Sequence, residues 1–139
     1  MLYIDGENMI YGRLSTFVAK SLLNGEDVVI INAHKVVVTG SRDFVLKKFR
    51  ERRDIGSVRK GPYYPRTPSQ ILRRSIGDMI PKKKTTGKEA LKRCKVFTKR
   101  PSSLKDVKFE SIKEAMNTKA TGVVTLEEIS RFMGYRVNE

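Results

Sequence analysis

The sequence predicts an α/β fold on a mainly parallel sheet, and three observations carry that prediction. Short apolar, β-branched runs such as Val28-Val29-Ile30-Ile31 and Val36-Val37-Val38-Thr39 alternate with segments whose apolar residues recur at helical spacing. The first run is apolar at every position, as a strand must be when both faces of a parallel sheet are covered. Between the segments stand Gly, Pro and helix-capping residues, which divide the chain into strands separated by helices.

Taken in order, Leu2-Tyr3-Ile4 is a first strand that ends at Asp5-Gly6. From Gly12 onward Leu14, Phe17, Val18 and Leu22 share one helical face, and Gly25 is the stop. The strand at 28–31 follows, then Val36–Thr39 repeats the strand signal. Ser41 is placed to cap a helix through Phe44, Val45 and Phe49, whose later turns carry Lys47, Lys48, Arg50, Arg52 and Arg53, cations suited to the negative end of the helix dipole. Thr67-Pro68-Ser69-Gln70 combines a capping box with proline at the first helical position. In that helix Ile71, Leu72, Ile76, Met79 and Ile80 fall on one side, and Arg73, Arg74 and Asp78 on the other. Pro81 ends it. Thr86-Gly87-Lys88-Glu89 opens a short helix, and Lys95–Thr98 reads as a last strand. Beyond Pro101 the composition turns nearly neutral, with box-like helix starts at Ser111–Glu114 and Thr125–Glu128 and a stop at Gly134. Residues 1–100 therefore form the α/β domain and 101–139 a small helical C-terminal appendage.

Length and composition bound the function. At 139 residues, with 39% hydrophobic and 32% charged residues, the chain is long enough for one domain with a real core under a basic surface. Neither an 18-residue apolar run nor a basic n-region is present, which predicts a soluble, cytoplasmic protein. The formal charge of +14 is a regional property: residues 42–100 hold 20 of the 29 Lys+Arg and 5 of the 15 Asp+Glu, and the remainder is close to neutral. Such a block repels itself in the free protein, so it implies a polyanionic partner. A solvated face accounts for some of the lysines but not for their density. A membrane surface ranks behind nucleic acid, because no basic amphipathic helix with a broad apolar face accompanies the charge.

Enzymatic readings are weaker. Tyr3-Ile4-Asp5-Gly6-Glu7-Asn8 places two carboxylates after a first strand, as metal-dependent α/β nucleases do. Two-metal chemistry needs several converging acids, and the neighbouring strands end in Asn32-Ala33 and Thr39-Gly40. Asp5 is therefore read as a turn residue, with a nuclease using Asp5 and Glu7 kept as the alternative function. The glycines match no phosphate-loop pattern. Cys94 and His34 are the only residues of their kinds, which excludes an internal disulfide and an all-Cys/His zinc site. No metal, cofactor or small-molecule substrate is called for.

The candidate RNA-binding residues are Arg50, Arg52, Arg53, Arg59, Lys60, Arg66, Arg73, Arg74, Lys82, Lys83, Lys84 and Lys88, with Arg13 as a secondary candidate. Phosphate contacts supply affinity, and the guanidinium fork adds bidentate or stacking contacts. Tyr63 and Tyr64 can either stack on unpaired bases or pack on their own loop.

The ordered succession of Gly12-Arg13-Leu14, Gly25-Glu26-Asp27-Val28-Val29-Ile30-Ile31-Asn32-Ala33, Arg59-Lys60-Gly61-Pro62-Tyr63-Tyr64-Pro65-Arg66, Ile71-Leu72-Arg73-Arg74 and Met79-Ile80-Pro81 resembles the universal family of large-subunit ribosomal proteins numbered thirteen, in its archaeal and eukaryotic branch. The likeness runs from about residue 2 to about residue 100. The ending, Thr125–Ile129 to Gly134-Tyr135, resembles archaeal members. The resemblance implies a three-layer α/β/α fold around a short parallel sheet. It also implies a non-catalytic role in binding and holding folded large-subunit ribosomal RNA beside neighbouring ribosomal proteins, with residues 101–139 packed on the domain or on such a neighbour. RNA-facing elements would be the loop at 50–66, the arginine helix at 71–80 and the lysine loop at 82–88. Asp78 departs from the family pattern, which has glycine there. A free-standing messenger-RNA-binding regulator could use the same surface.

Overall fold

The computed structural model describes residues 2–54, 64–81, 83–118 and 122–134, with the Arg53 side chain outside that description. Its strands are β1 (Leu2–Asp5), β2 (Val28–Ile31), β3 (Val37–Thr39), β4 (Cys94–Val96) and β5 (Val123–Thr125). Its helices are α1 (Tyr11–Leu23), α2 (Arg42–Asp54), α3 (Pro68–Asp78), α4 (Thr85–Lys92) and α5 (Leu126–Phe132). Single 3-10 turns occur at Ala33–Lys35, Ser102–Leu104 and Lys113–Ala115.

The strands β1, β2 and β4 form a parallel sheet with β2 in the middle, so that Leu2, Val28 and Cys94 lie in one row and Tyr3, Val29 and Lys95 in the next. All four positions of β2 are buried, which is why its run is apolar throughout. Side chains alternate across a sheet. Ile4, Val28, Ile30 and Cys94 accordingly join Leu14, Val18 and Leu22 of α1 and Ile71, Leu72 and Ile76 of α3 in the core. Tyr3, Val29 and Lys95 point the other way. There the chain leaves β4 through Phe97, whose N–H donates to Ile30 O over 2.8 Å, and crosses to the far edge, where Glu110 pairs with β1. The architecture is α/β around this short, mainly parallel sheet, its three layers being the helices on one face, the sheet, and on the other face the crossing chain with the 3-10 turn at Ser102–Leu104.

One strand departs from the expected sheet. β3 follows β2 after only the turn at Ala33–Lys35, and a parallel crossover needs about a dozen residues or more. It therefore leaves the sheet and pairs antiparallel with β5, Val37 opposite Thr125 and Thr39 opposite Val123. From β5 the chain runs straight into α5. Thr125 caps α5, accepting a hydrogen bond from the Glu128 N–H over 3.3 Å, and Leu126, Ile129 and Met133 enter the same core as α1 and α3. Ser111–Glu114 starts only the 3-10 turn, and α4 begins at Thr85, one residue before the expected box. Thr67 precedes α3 without capping it through its side chain, and its hydroxyl is buried without a partner.

Candidate nucleic-acid interface

The basic surface is built on the outer faces of α2, α3 and α4. In α2, Val45, Leu46 and Phe49 are buried, which turns Lys47, Lys48 and Arg50 to solvent. Arg50 lies 3.8 Å from Asp54, one turn on. Phe49 continues an aromatic ladder, with Tyr11 on one side and Tyr64 on the other, each ring centre 6.2 Å away. Burial, and next the neighbouring Tyr64, push the Tyr11 phenol well above its ordinary pKa, so it stays a neutral packing element.

At the outer end of that ladder the Tyr64 ring holds two guanidinium groups. Arg52 from α2 lies 5.8 Å from its centre and 5.2 Å from that of Phe49, and its Nη1 donates to the Tyr64 hydroxyl over 3.5 Å. Arg74 from α3 lies 4.8 Å from the same ring centre. Each such contact is worth about 0.5–1 kcal/mol at an exposed site, enough to restrict a long side chain. Two like charges on one ring also raise the local potential, which an anion would relieve.

Next along α3, Arg73 is exposed but tied down. Its Nη2 donates to Leu91 O over 3.2 Å and its Nε lies 3.5 Å from Cys94 O, joining α3 to α4 and β4. Burial pushes the Cys94 thiol up to about 11, against a smaller opposing effect of Arg73. Arg73, Arg74, Pro65, Gln70, Gly77 and Leu91 line a surface cavity of about 370 Å³.

The lysine loop is fixed by a close backbone approach. A Cβ on Gly87 would lie 1.9 Å from Pro81 O, so only glycine lets α4 pack against the turn that ends α3. The Lys84 N–H donates to Pro81 O and the Lys88 N–H to Lys84 O, each over 3.1 Å, and Lys83, Lys84 and Lys88 are all exposed. Arg66 is exposed as well, and its carbonyl accepts a hydrogen bond from the buried Ser130 hydroxyl of α5.

The structure thus brings Arg52, Arg73 and Arg74 together through Tyr64 and the α3–α4 packing, with Lys83, Lys84 and Lys88 on the adjoining turn. Arg13 lines a different groove, of about 510 Å³, between α1 and Val38, Thr39 and Ile112. Arg59, Lys60, Lys82 and Tyr63 lie outside the described residues, as does the Arg53 side chain. The sequence reading missed the supporting role of Tyr11 and Phe49, although the Phe49–Arg52 spacing on one helix is a signal that could have found it. It also missed two arginines bound internally. Arg93 Nη2 donates to Leu22 O over 2.6 Å, and Arg100 donates to Leu104 O over 3.2 Å and to Lys105 O over 2.8 Å.

The acids after β1 form a turn. Asp5 Oδ1 accepts from the Glu7 N–H and from the Asn32 side-chain amide, each over 3.0 Å, while Glu7 lies 3.5 Å from Lys35. Among the described residues no group of three or more His, Cys, Asp or Glu is placed to hold a metal ion, and no helix is long and apolar enough to cross a membrane.

Comparison with known proteins places the chain in a family. The family model described as ribosomal protein L13 matches residues 1–103. The large ribosomal subunit protein uL13 of Picrophilus torridus is 60% identical over 134 residues, covering 96% of this chain and 97% of its own length. The proteins of the same name from Thermoplasma volcanium and Archaeoglobus fulgidus are 59% and 43% identical, each across 96% of this chain and 98% and 87% of their own. By the extent of these matches, the chain belongs to the ribosomal protein L13 family.

Proposed function

We propose that this protein is a structural constituent of the large ribosomal subunit that binds and stabilises folded large-subunit ribosomal RNA through the α2–α3–α4 face. The observation that carries the reading is the pair of guanidinium groups, Arg52 and Arg74, held from two helices on one Tyr64 ring. Their side chains are ordered before a ligand arrives, so less entropy is lost when phosphate binds. The remaining N–H groups of Arg73, and the exposed Arg50, Arg66, Lys83, Lys84 and Lys88, extend the anion-binding surface. Arg13, Arg53, Arg59, Lys60 and Lys82 complete the proposed contact set. Recognition is by RNA shape and phosphate position rather than by base edges. The reading is non-catalytic: Asp5 and Glu7 serve the turn after β1. The large subunit is the site of action, in the cytoplasm, with ribosomal neighbours at the edges and residues 101–139 as an extension of the domain.

The test is binding of the full chain to large-subunit ribosomal RNA fragments and to an unrelated RNA of equal length, over a range of salt. Preference for particular fragments that persists at high salt is the expected result. Equal affinities that collapse together as salt rises would reduce the surface to a polycation. Co-sedimentation with large subunits through a high-salt wash separates a ribosomal component from a free messenger-RNA-binding regulator.

A further inference from the structure

The sheet face turned away from α1 and α3 carries a second basic, aromatic surface that the site above does not use. A cleft of about 430 Å³ opens there, lined by Tyr3 and Val29 from β1 and β2, Lys95 and Phe97 from β4 and its extension, Lys92 at the end of α4, and Leu104. Lys95 and Phe97 are two residues apart in extended chain and so share this face. The one acid in the wall, Asp27, is already engaged, 3.9 Å from Arg93. Lys92 and Lys95 are exposed and form no ion pair with any described residue.

The opposite wall is rigid. Arg100 donates to the carbonyls of Leu104, Lys105 and Val107 and covers the Phe109 ring at 5.1 Å, while Phe109 meets Tyr3 edge-on at 5.4 Å and 84°. Tyr3 is therefore held from behind, with its ring fixed in the cleft. Rings on a sheet, flanked by free cations, are what a single-stranded nucleic acid uses: bases stack on the rings and phosphates meet the ammonium groups.

Building on the RNA-binding reading, we infer that this cleft takes an unpaired nucleotide, its base against Phe97 and Tyr3 and its phosphate on Lys92 and Lys95. Charge complementarity calls for an anion, and the ring faces favour a nucleotide over an acidic peptide, because a stacked base and a phosphate engage rings and cations at once whereas carboxylates use only the cations. The protein then holds two RNA segments, a folded one on the α2–α3–α4 face and a single-stranded one on the far side of the sheet.

The experiment is an NMR titration of the full chain with pentaadenylate, with a pentameric abasic ribose-phosphate, and with a hexaglutamate peptide. Pentaadenylate should shift the signals of Val29, Lys95 and Phe97, and the abasic oligomer should bind about tenfold more weakly. Phe97→Leu should cost about the same factor, and Lys95→Glu, an exposed change that leaves the core intact, should cost more. Reversing Lys83 and Lys84 to Glu should leave the shifts of the cleft residues in place. Pentaadenylate shifts confined to α3 and α4 would overturn the inference while leaving the proposed function standing. Shifts in the cleft with hexaglutamate alone would assign it to a protein partner and also overturn it. If neither pentaadenylate nor ribosomal RNA fragments bound any surface, the RNA-binding reading itself would fail.

Discussion

Gly87 and Gly12 provide a paired test of how the basic face is held. Both lie in the first turns of helices, α4 and α1, and both would be expected from helix propensity alone to gain about 0.5–1 kcal/mol on replacement by alanine. Their surroundings are opposite. A Cβ at Gly12 meets nothing within 4 Å, whereas at Gly87 it would stand 1.9 Å from Pro81 O, 2.6 Å from Pro81 C and 3.2 Å from Ile80 Cγ2. Carbon and oxygen touch at a little over 3 Å, so backbone on one side or the other must move by about 1 Å. Forcing an extra methyl into packed structure costs about 1–3 kcal/mol, which exceeds the propensity gain. Gly12→Ala should therefore raise the urea midpoint and Gly87→Ala lower it, the latter by a net of about 1–2 kcal/mol, or roughly 3–6 °C in melting temperature for a domain of this size. Because the displaced turn carries Lys83 and Lys84, Gly87→Ala should also weaken RNA binding while Gly12→Ala does not. If Gly87→Ala were as stable as the parent, the close packing of α4 on Pro81 would be wrong, and with it the account of how the lysine loop is fixed.

Tyr64→Leu should leave the fold in place but weaken binding of ribosomal RNA fragments by about three- to tenfold, because Arg52 and Arg74 lose their shared ring; Tyr64→Phe should retain most of the affinity. Reversing Lys83, Lys84 and Lys88 to Glu should weaken related and unrelated RNAs alike and reduce the slope of log K against log salt by about three, read from titrations at several salt concentrations. Thr125→Ala removes the oxygen that caps α5 and should lower the unfolding free energy by about 1 kcal/mol in urea titration. Cys94 has its folded-state pKa raised to about 11, so the favourable term it contributes is present below its unfolded value and is lost as pH rises through about 11. Its alkylation by iodoacetamide at pH 8 should be at least about 100-fold slower in the folded chain than in urea, and rapid modification under native conditions would contradict its burial.

The elements whose signals are local were legible. The continuous run at 28–31 marked the central strand, Gly25 and Gly134 ended α1 and α5 with positive φ values of 92° and 95°, and Ile71, Leu72, Ile76 and Ile80 of the expected apolar face are buried, whereas Met79, past the last turn of α3, is 44% exposed. What could not be read depends on partners far along the chain. Val36–Thr39 looks the same whether it pairs parallel or antiparallel, and only the shortness of the 3-10 connection decides. Its partner, Val123–Thr125, is three residues long and carries too weak a pattern to be recognised. Thr67 shows the same limit: its spacing to Gln70 suits a capping box, yet the tertiary contacts bury its hydroxyl without a partner. In the candidate interface, residue type pointed to the exposed basic faces of α2, α3 and α4. It could not distinguish Arg52 and Arg74, held on a ring at the surface, from Arg93 and Arg100, whose guanidinium groups bond backbone carbonyls, because that difference lies wholly in three-dimensional neighbours.

The pairing of β3 with β5 has a consequence for the order in which the protein can be completed. Arg42 and Glu128, joined across the neighbouring helices, are 86 residues apart, and the two strands are separated by a similar length. Every other strand among the described residues has its strand partner by residue 96. A nascent chain that has reached that point can close the parallel sheet over α1 and α3, yet Val37–Thr39 still presents an unpaired, β-branched edge, and closing so long a loop slows its capture. Until residues 123–125 emerge, that edge is open to strand addition by any other extended chain. A ribosome stalled between those two points would therefore display a closed parallel sheet with one adhesive side, and β5, together with the α5 helix that follows it into the core, is what makes that side inert.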